Sequence, residues 1–347
     1  MRYTQLGRSG LRVSEICLGT MTFGTETGWG ADRDESRAMF DAFVATGGTF
    51  IDTADVYTGG TSERLVGEFI ATERGRFVVG TKFSMSRPAA DPNAAGNQRK
   101  HMVQALEASL RRLNTEYVDL YGVHAWDFIT PTDEVMRALD DLVRSGKVLY
   151  AGVSNAPAWA VARANTLADL RGWSPFVALQ IEYSLVERTS DRELLPMARA
   201  LGVGLTAWSP LGAGLLTGKY GAERPAAAAA LRLDFTKATP VDERTLSIAR
   251  AVASVAAEMD ATPAQVALAW VRRRGVIPIL GARSAAQLSE NLRCVDTVLD
   301  AAHAARLEEA SRLAPEYPTR FLERDNVRAS MSAGFADRFD VFDIRAG

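Results

Sequence analysis

The chain contains 347 residues, of which 47% are hydrophobic and 24% are charged, and its formal net charge is -2. This composition is typical of a globular protein. A charge so close to neutrality argues against nucleic acid or an anionic membrane as the main partner, because both favour basic surfaces. The two cysteines are far apart, the N-terminus has no signal-peptide pattern, and no apolar run has bilayer length. We therefore expect a cytoplasmic protein.

The first residues predict a small β-hairpin. Two short strand-like pieces, at 3–6 and 11–13, flank the tetrad GRSG, whose glycines and serine favour a turn. Beyond the hairpin, apolar runs alternate with helical patterns. Runs such as GVGLTAWS and GVIPIL are unbroken, as expected for strands buried on both faces. The predicted strands are 15–19, 49–52, 77–82, 117–123, 148–153, 177–182, 203–208 and 276–280.

Helical patterns separate most of these strands. Thr262-Pro263 is a typical helix start, and Gly146, Gly202 and Gly275 are typical helix ends. No strand-to-helix turn carries the GxGxxG pattern of an open dinucleotide-binding sheet. Eight strands alternating with helices therefore predict an α/β fold of the (β/α)8 TIM-barrel type. The predicted helices include 36–46, 100–113, 132–145, 158–170, 193–200 and 264–274.

One connection and the C-terminus depart from this alternation. The connection at 212–240 is longer than a simple barrel loop, and its five alanines at 226–230 predict a short helix. After a predicted helix at 300–313, the segment 314–347 forms a tail that either covers the barrel mouth or extends away from it. We expect a single domain over 1–347, with its core at about 3–313.

Polar residues stand at or just after the ends of three apolar runs: Asp52 and then Tyr57, Lys82, and His124. In a parallel barrel, the carboxyl ends of the strands converge on the rim that carries the chemistry. A lysine ammonium lowers the pKa of a nearby phenol, and an aspartate keeps the ammonium charged and oriented. A histidine can hydrogen-bond a substrate oxygen. Together the four predict proton donation to a carbonyl. Singly, Asp52 could cap a turn, Tyr57 could be a packing residue and His124 a hydrogen-bonded core residue, whereas an unpaired Lys82 would be costly to bury.

The sequence resembles the aldo-keto reductases. The matching stretches include LGRSGLRVSEICLGTMTFG, FIDTADVYTGGTSERLVGE, YVDLYGVHAWD and GLTAWSPLGAGLLTGKY, in family order across about residues 3–295. The bacterial branch related to the potassium-channel β-subunits is the most similar. The resemblance implies a barrel whose N-terminal hairpin closes the bottom and whose upper rim binds a nicotinamide cofactor. It makes Tyr57 the general acid, Asp52 and Lys82 the pair that activates it, and His124 the partner of the substrate oxygen.

The resemblance also implies the contacts of the cofactor. Ser154, Asn155 and Gln180 match residues that bind the carboxamide, beside Asp52, and Trp208 matches the residue that stacks on the nicotinamide. Arg283 favours NADPH, but NADH stays open because Gly281-Ala282 replaces the Lys-Ser pair of many members. The matches along the rest of the cofactor are Thr20 and Met21 at the ribose, Ser209, Pro210, Leu211, Gly214 and Lys219 at the pyrophosphate, and Gly281, Arg283, Gln287, Glu290 and Asn291 at the adenosine.

Aromatic residues predict the character of the substrate. Phe23, Trp29 and Trp126 are the expected pocket walls beside Tyr57 and His124, and they favour an apolar or aromatic aldehyde or ketone. Two alternatives stay open: an NADPH-binding regulatory subunit of the channel type with little turnover, and an aldolase that uses Lys82 as a Schiff-base amine. A metal site is not expected, because the other two histidines stand in predicted helices. The sequence predicts neither the physiological direction nor the oligomeric state.

Overall fold

The computed structural model of the protein describes residues 1–85, 91–218 and 241–339. Eight parallel strands close into a barrel in chain order, and the last strand pairs with the first. The predicted (β/α)8 TIM barrel is therefore confirmed. The barrel strands are β3 (Cys17–Gly19), β4 (Phe50–Asp52), β5 (Val78–Phe83), β6 (Val118–Val123), β7 (Val148–Ser154), β8 (Phe176–Glu182), β9 (Gly204–Trp208) and β10 (Ile277–Leu280).

Helices surround the barrel and begin at the residues that the sequence marks as caps. Thr262 accepts a hydrogen bond from the amide of Gln265 and Pro263 is the first helical residue, which gives α8 the predicted start. Gly202 ends α6 in the left-handed conformation, as expected. The helices around the barrel are α1 (Arg33–Ala45), α2 (Thr61–Ile70), α3 (Arg99–Leu113), α4 (Thr132–Arg144), α5 (Ala158–Arg171), α6 (Leu194–Leu201), α7 (Glu243–Glu258), α8 (Pro263–Arg273) and α9 (Ala285–Leu292).

The N-terminal hairpin closes the bottom of the barrel, as expected. Its strands, β1 (Tyr3–Gln5) and β2 (Arg12–Ser14), are antiparallel, and Leu6 and Val13 are fully buried against the lower ends of the barrel strands. The hydroxyl of Ser14 accepts hydrogen bonds from the amides of Thr49 and Phe50, at the start of β4. These contacts hold the hairpin against the bottom of the barrel.

The C-terminal part of the chain forms helices outside the barrel. The predicted helix at 300–313 is observed as α10 (Ala301–Ser311), and two short helices follow it, α11 (Thr319–Leu322) and α12 (Asp325–Met331). The start of this tail is attached to the barrel by an ion pair between Arg192 and Glu316. The predicted alanine helix at 226–230 lies outside the described residues. In the described ranges no helix is both long and apolar enough to cross a membrane.

Candidate active site

The four polar residues predicted to act together meet at the upper rim. Asp52 ends β4, Lys82 is the penultimate residue of β5, and His124 directly follows β6. Because these three strands are neighbours in the barrel, their carboxyl ends lie side by side. Tyr57 lies a few residues beyond Asp52, at the start of a 3₁₀ turn (Tyr57–Gly60) that leads into α2.

The Lys82 ammonium is at the centre of this group. It donates hydrogen bonds to the Asp52 carboxylate at 2.8 Å, to the Thr53 carbonyl at 2.7 Å and to the Tyr57 hydroxyl at 3.4 Å. Lys82 is only 4% exposed. Burial alone would lower the pKa of the ammonium, but the charge of Asp52 and the contact with Tyr57 outweigh burial and raise that pKa above its ordinary value. Lys82 therefore stays charged, with all three N–H bonds directed at partners.

Asp52 is itself held from a second direction. One carboxylate oxygen accepts a hydrogen bond from the Gln180 amide on β8 at 2.8 Å, on the far side of the barrel mouth. Three strands thus supply one hydrogen-bonded chain from Gln180 through Asp52 to Lys82. This arrangement fixes the position of the ammonium relative to Tyr57.

His124 faces the Tyr57 ring. The two ring centroids are 5.8 Å apart and the planes meet at 80°. Burial, together with the positive charge of Lys82, lowers the pKa of His124 to about 3, so the imidazole is neutral at physiological pH. Its Nδ1 atom is buried and has no hydrogen-bond partner in the described part of the chain. The rim therefore offers a phenol beside a cation and a neutral imidazole.

The predicted nicotinamide contacts lie next to this group, at the ends of β7 to β9. Asn155 links them: its amide nitrogen donates to the His124 carbonyl at 2.9 Å and its amide oxygen accepts from the Trp208 indole at 3.1 Å. The Trp208 ring is thereby held partly exposed on the rim. The Ser154 hydroxyl is buried and has no partner among the described residues, which leaves a polar atom at the rim for a ligand amide.

Two residues in the next segment of the predicted cofactor site have left-handed backbone conformations. Ser209 and Gly214 both have positive φ, at 53° and 100°. No heavy atom lies within 4 Å of a Cβ placed on Gly214, so the conformation, and not the space, favours glycine there. Pro210 and Leu211 lie between these two residues. Lys219, also predicted here, lies outside the described residues.

The predicted adenosine contacts lie beside β10. Arg283, Gln287 and Glu290 line an open cleft of about 820 Å³. Gly281 follows β10 directly, whereas Asn291 is a buried residue of α9. At the ribose positions, Thr20 is buried and its hydroxyl donates to the Asp52 carbonyl, while Met21 is partly exposed.

The three aromatic residues predicted as substrate walls lie in different environments. Phe23 is fully buried and packs edge-to-face against Phe69 of α2, 6.1 Å between centroids, so its ring is part of the core and offers no wall. Trp126 is nearly buried two residues beyond His124. Trp29 lines the cleft that also contains Arg283. His124 is not among the residues that line this cleft.

Two features at the site were not predicted from the sequence. The Thr53 carbonyl binds Lys82, and a backbone acceptor carries no sequence signal. Asp55 lies between Asp52 and Tyr57; burial and then the charge of Glu63 raise the pKa of Asp55 to about 7. A second acidic residue in the segment DTADVY was the available signal.

Comparison with known proteins gives the family. A model of the Aldo/keto reductase family matches residues 15–312. The chain belongs to the aldo/keto reductase family. Norsolorinic acid reductase from Aspergillus flavus is 36% identical over 328 residues, which cover 90% of this chain and 82% of that protein.

Other relatives are also oxidoreductases by name. The uncharacterized oxidoreductase YrpG of Bacillus subtilis is 38% identical over 314 residues, covering 86% of this chain and 93% of that protein. An aryl-alcohol dehydrogenase of Pestalotiopsis microspora is 35% identical over 323 residues, covering 90% and 82%. This aldo/keto reductase is therefore an NAD(P)H-dependent oxidoreductase that acts on small-molecule carbonyl compounds.

Proposed function

We propose that this aldo/keto reductase reduces an aromatic aldehyde or ketone to the alcohol with NADPH, and that Tyr57 is the general acid. The observation that supports this most strongly is the position of the Lys82 ammonium, 3.4 Å from the Tyr57 hydroxyl and 2.8 Å from the Asp52 carboxylate. When Tyr57 gives its proton to the carbonyl oxygen, a phenolate remains. The adjacent ammonium stabilises that charge.

His124 is proposed to orient the substrate. Because its pKa is about 3, the ring is neutral at any ordinary assay pH and has one N–H group that can donate a hydrogen bond to the carbonyl oxygen. Negative charge grows on that oxygen during reduction. A donor already in place stabilises it, which is commonly a large part of catalysis.

The cofactor is proposed to lie along the rim from Trp208 to Arg283. When bound, the reduced nicotinamide supplies the hydride to the carbonyl carbon. The Ser154 hydroxyl, buried without a described partner, is suited to hydrogen-bond the carboxamide, and the Trp208 ring to pack against the nicotinamide. Arg283 is exposed and forms no ion pair with a described residue, so its guanidinium is available for a ribose phosphate. This supports NADPH in preference to NADH.

An aromatic substrate is proposed from two observations. Trp126 and Trp208 lie near His124 and Asn155 on the rim, so aromatic side chains border the site. Relatives include proteins named norsolorinic acid reductase and aryl-alcohol dehydrogenase.

Neither alternative is favoured. A Schiff-base role for Lys82 requires a neutral amine, and the contacts with Asp52 oppose deprotonation. A regulatory subunit with little turnover would differ from the proposed enzyme in its rate of NADPH oxidation, which the following experiment measures.

The test follows NADPH and NADH oxidation with aromatic and aliphatic carbonyl compounds, including 4-nitrobenzaldehyde. We expect turnover of the aromatic compounds with NADPH, and a loss of about 10²-fold or more in kcat for Tyr57→Phe with NADPH affinity nearly unchanged. Tyr3→Phe is the matched control, because it removes a hydroxyl from the hairpin at the opposite end of the barrel. Equal activity of Tyr57→Phe and wild type would contradict the proposal.

A further inference from the structure

The cleft beside β10 has two walls that come from distant parts of the sequence. One is the first part of α9 and the turn before it, with Arg283, Ser284 and Gln287; the other is the loop between β3 and α1, with Trp29 and Gly30. Neither Tyr57, Lys82 nor His124 is among the lining residues. The cleft is therefore separate from the carbonyl site, although both lie on the upper rim.

The loop that carries Trp29 is fixed at both of its ends to the segment from the turn after β10 to the first residue of α9. Before the loop, the Thr22 hydroxyl donates to the Ala282 carbonyl at 2.7 Å. After it, the Glu35 carboxylate accepts from the Ala285 amide at 2.6 Å. A change in position of either wall would break one of these bonds, so the width of the cleft is set by the fold.

Backbone hydrogen bonds also hold the two ends of this loop close together. The amide of Gly24 donates to the Ala31 carbonyl at 2.8 Å, and the amide of Ala31 to the Thr22 carbonyl at 2.7 Å. A Cβ on Gly30 would lie 1.8 Å from the Gly24 carbonyl oxygen, so only glycine allows this close approach. Trp29 is adjacent to that contact, and its backbone is consequently held in place.

The side chains of the cleft match the parts of a purine nucleotide. Trp29 is partly buried and lines the cleft, and an aromatic side chain can stack on any base. The exposed guanidinium of Arg283 suits a phosphate or the other face of the purine. The carboxylate of Glu290, also without a described ion pair, can accept hydrogen bonds from ribose hydroxyls or an exocyclic amine.

We propose that Trp29 binds the adenine ring of the cofactor and that the β3–α1 loop, together with Arg283, sets cofactor affinity. This inference rests on the proposed function and replaces the substrate role predicted for Trp29 from the sequence. Trp29 acts on binding alone: it contributes to holding NADPH on the rim and makes no contact with the carbonyl compound.

The experiment measures the affinity of the full-length protein for NADPH, 2′,5′-ADP and 5′-ADP by calorimetry, which avoids the tryptophan fluorescence changed by substitution. For Trp29→Leu we expect about tenfold weaker binding of NADPH and of the ADP fragment that wild type prefers. Trp29→Phe keeps a stacking face and should lose much less. With saturating NADPH, the kcat and KM for 4-nitrobenzaldehyde should stay within about twofold of wild type.

Trp173→Leu is the matched control. Trp173 is also half-buried, but it lies after the C-terminal end of α5, at the bottom of the barrel. We expect this variant to bind all three nucleotides like wild type. Circular dichroism of the variants, and the conservative Trp29→Phe, distinguish lost binding from lost folding.

The outcomes separate the inference from the proposed function. Unchanged nucleotide affinity in Trp29→Leu, or an altered KM for the aldehyde with unchanged nucleotide affinity, would overturn the inference and leave the reductase activity standing. Failure of the wild type to bind any of the three nucleotides would contradict both the proposed function and the inference.

Discussion

Among single residues, Asp55 is the acid beside the site that no part of the proposed chemistry uses. Its Oδ1 atom is buried without a hydrogen-bond partner in the described ranges. Three charged groups influence it: Glu63 disfavours its ionised form, while Arg112 and Lys82 favour it. Burial is the largest influence, and the pKa of about 7 lies above the ordinary value of 3.8. Ionisation of Asp55 therefore destabilises the folded protein.

This predicts how stability depends on pH. A raised pKa means that the folded protein holds the proton more tightly than the unfolded chain, so this contribution is fully present below pH 3.8 and is lost as pH rises through 7. Asp55→Asn removes the dependence. The free energy of unfolding of the variant relative to wild type should therefore rise by about 2–3 kcal/mol between pH 5 and pH 8.

Urea titrations of both proteins across this range provide the measurement. Any constant effect of the asparagine cancels in the difference, and the other titrating groups are shared by both proteins. Parallel stability curves for wild type and variant would show that Asp55 ionises as readily in the folded protein as in the unfolded chain.

Among elements, the N-terminal hairpin is held by close backbone contact at the bottom of the barrel. Gly7 has a φ of 61°, and a Cβ there would lie 2.5 Å from the amide nitrogen of Gly204 and 2.6 Å from the carbonyl oxygen of Gly202. The same turn donates from the Arg8 amide to the Gly202 carbonyl at 2.7 Å. The hairpin therefore depends on the missing side chain at this position.

We expect Gly7→Ala to lower the free energy of unfolding by about 2–4 kcal/mol, because it adds left-handed strain and backbone overlap. The kcat should remain within about twofold of wild type, since the active site lies at the opposite end of the barrel. Gly10→Ala is the control: no heavy atom lies within 4 Å of its added Cβ. Equal stability of the two variants in thermal unfolding would contradict this assignment of the hairpin.

The elements were predictable where the sequence itself carries the physical signal. Strands such as β9 and β10 are unbroken apolar runs because both of their faces are buried, and the capping box of Thr262 with Gln265 marks the start of α8. Loop side chains carry no such signal. Phe23 lies in the core because α2 brings Phe69 against it, and that contact depends on tertiary packing. Trp29 was expected to form a wall of the substrate pocket, and it lines the cleft beside β10.

The group of residues proposed for catalysis was predictable for a related reason. Asp52, Lys82 and His124 each interrupt an apolar pattern at the end of a strand, and a parallel barrel necessarily gathers such positions on one rim. The interactions that fix them were not visible. The Gln180 amide on Asp52 and the Thr53 carbonyl on Lys82 depend on side-chain directions that only the closed barrel defines.

At the scale of the whole molecule, the contacts of the N-terminal hairpin and the residues proposed for catalysis lie at opposite ends of the barrel. The hairpin packs against the lower strand ends, while the ends of β4, β5 and β8 supply the hydrogen-bonded chain at the top. The loops above this rim carry the cleft beside β10, proposed for the cofactor, and are proposed to border the substrate. Substitutions at the bottom should therefore alter unfolding, and substitutions at the rim should alter binding or turnover.

On the rim, the Lys82 ammonium contacts the Tyr57 hydroxyl. A double-mutant cycle on this pair is the most direct test of whether the lysine activates the phenol. It compares kcat for 4-nitrobenzaldehyde reduction in wild type, Lys82→Met, Tyr57→Phe and the double variant, each saturated with NADPH and checked for folding. If Lys82 acts through Tyr57, the double variant should be no more than about threefold slower than Tyr57→Phe alone. Losses that multiply in the double variant would show that the two residues act independently, and would contradict activation of the phenol by the lysine.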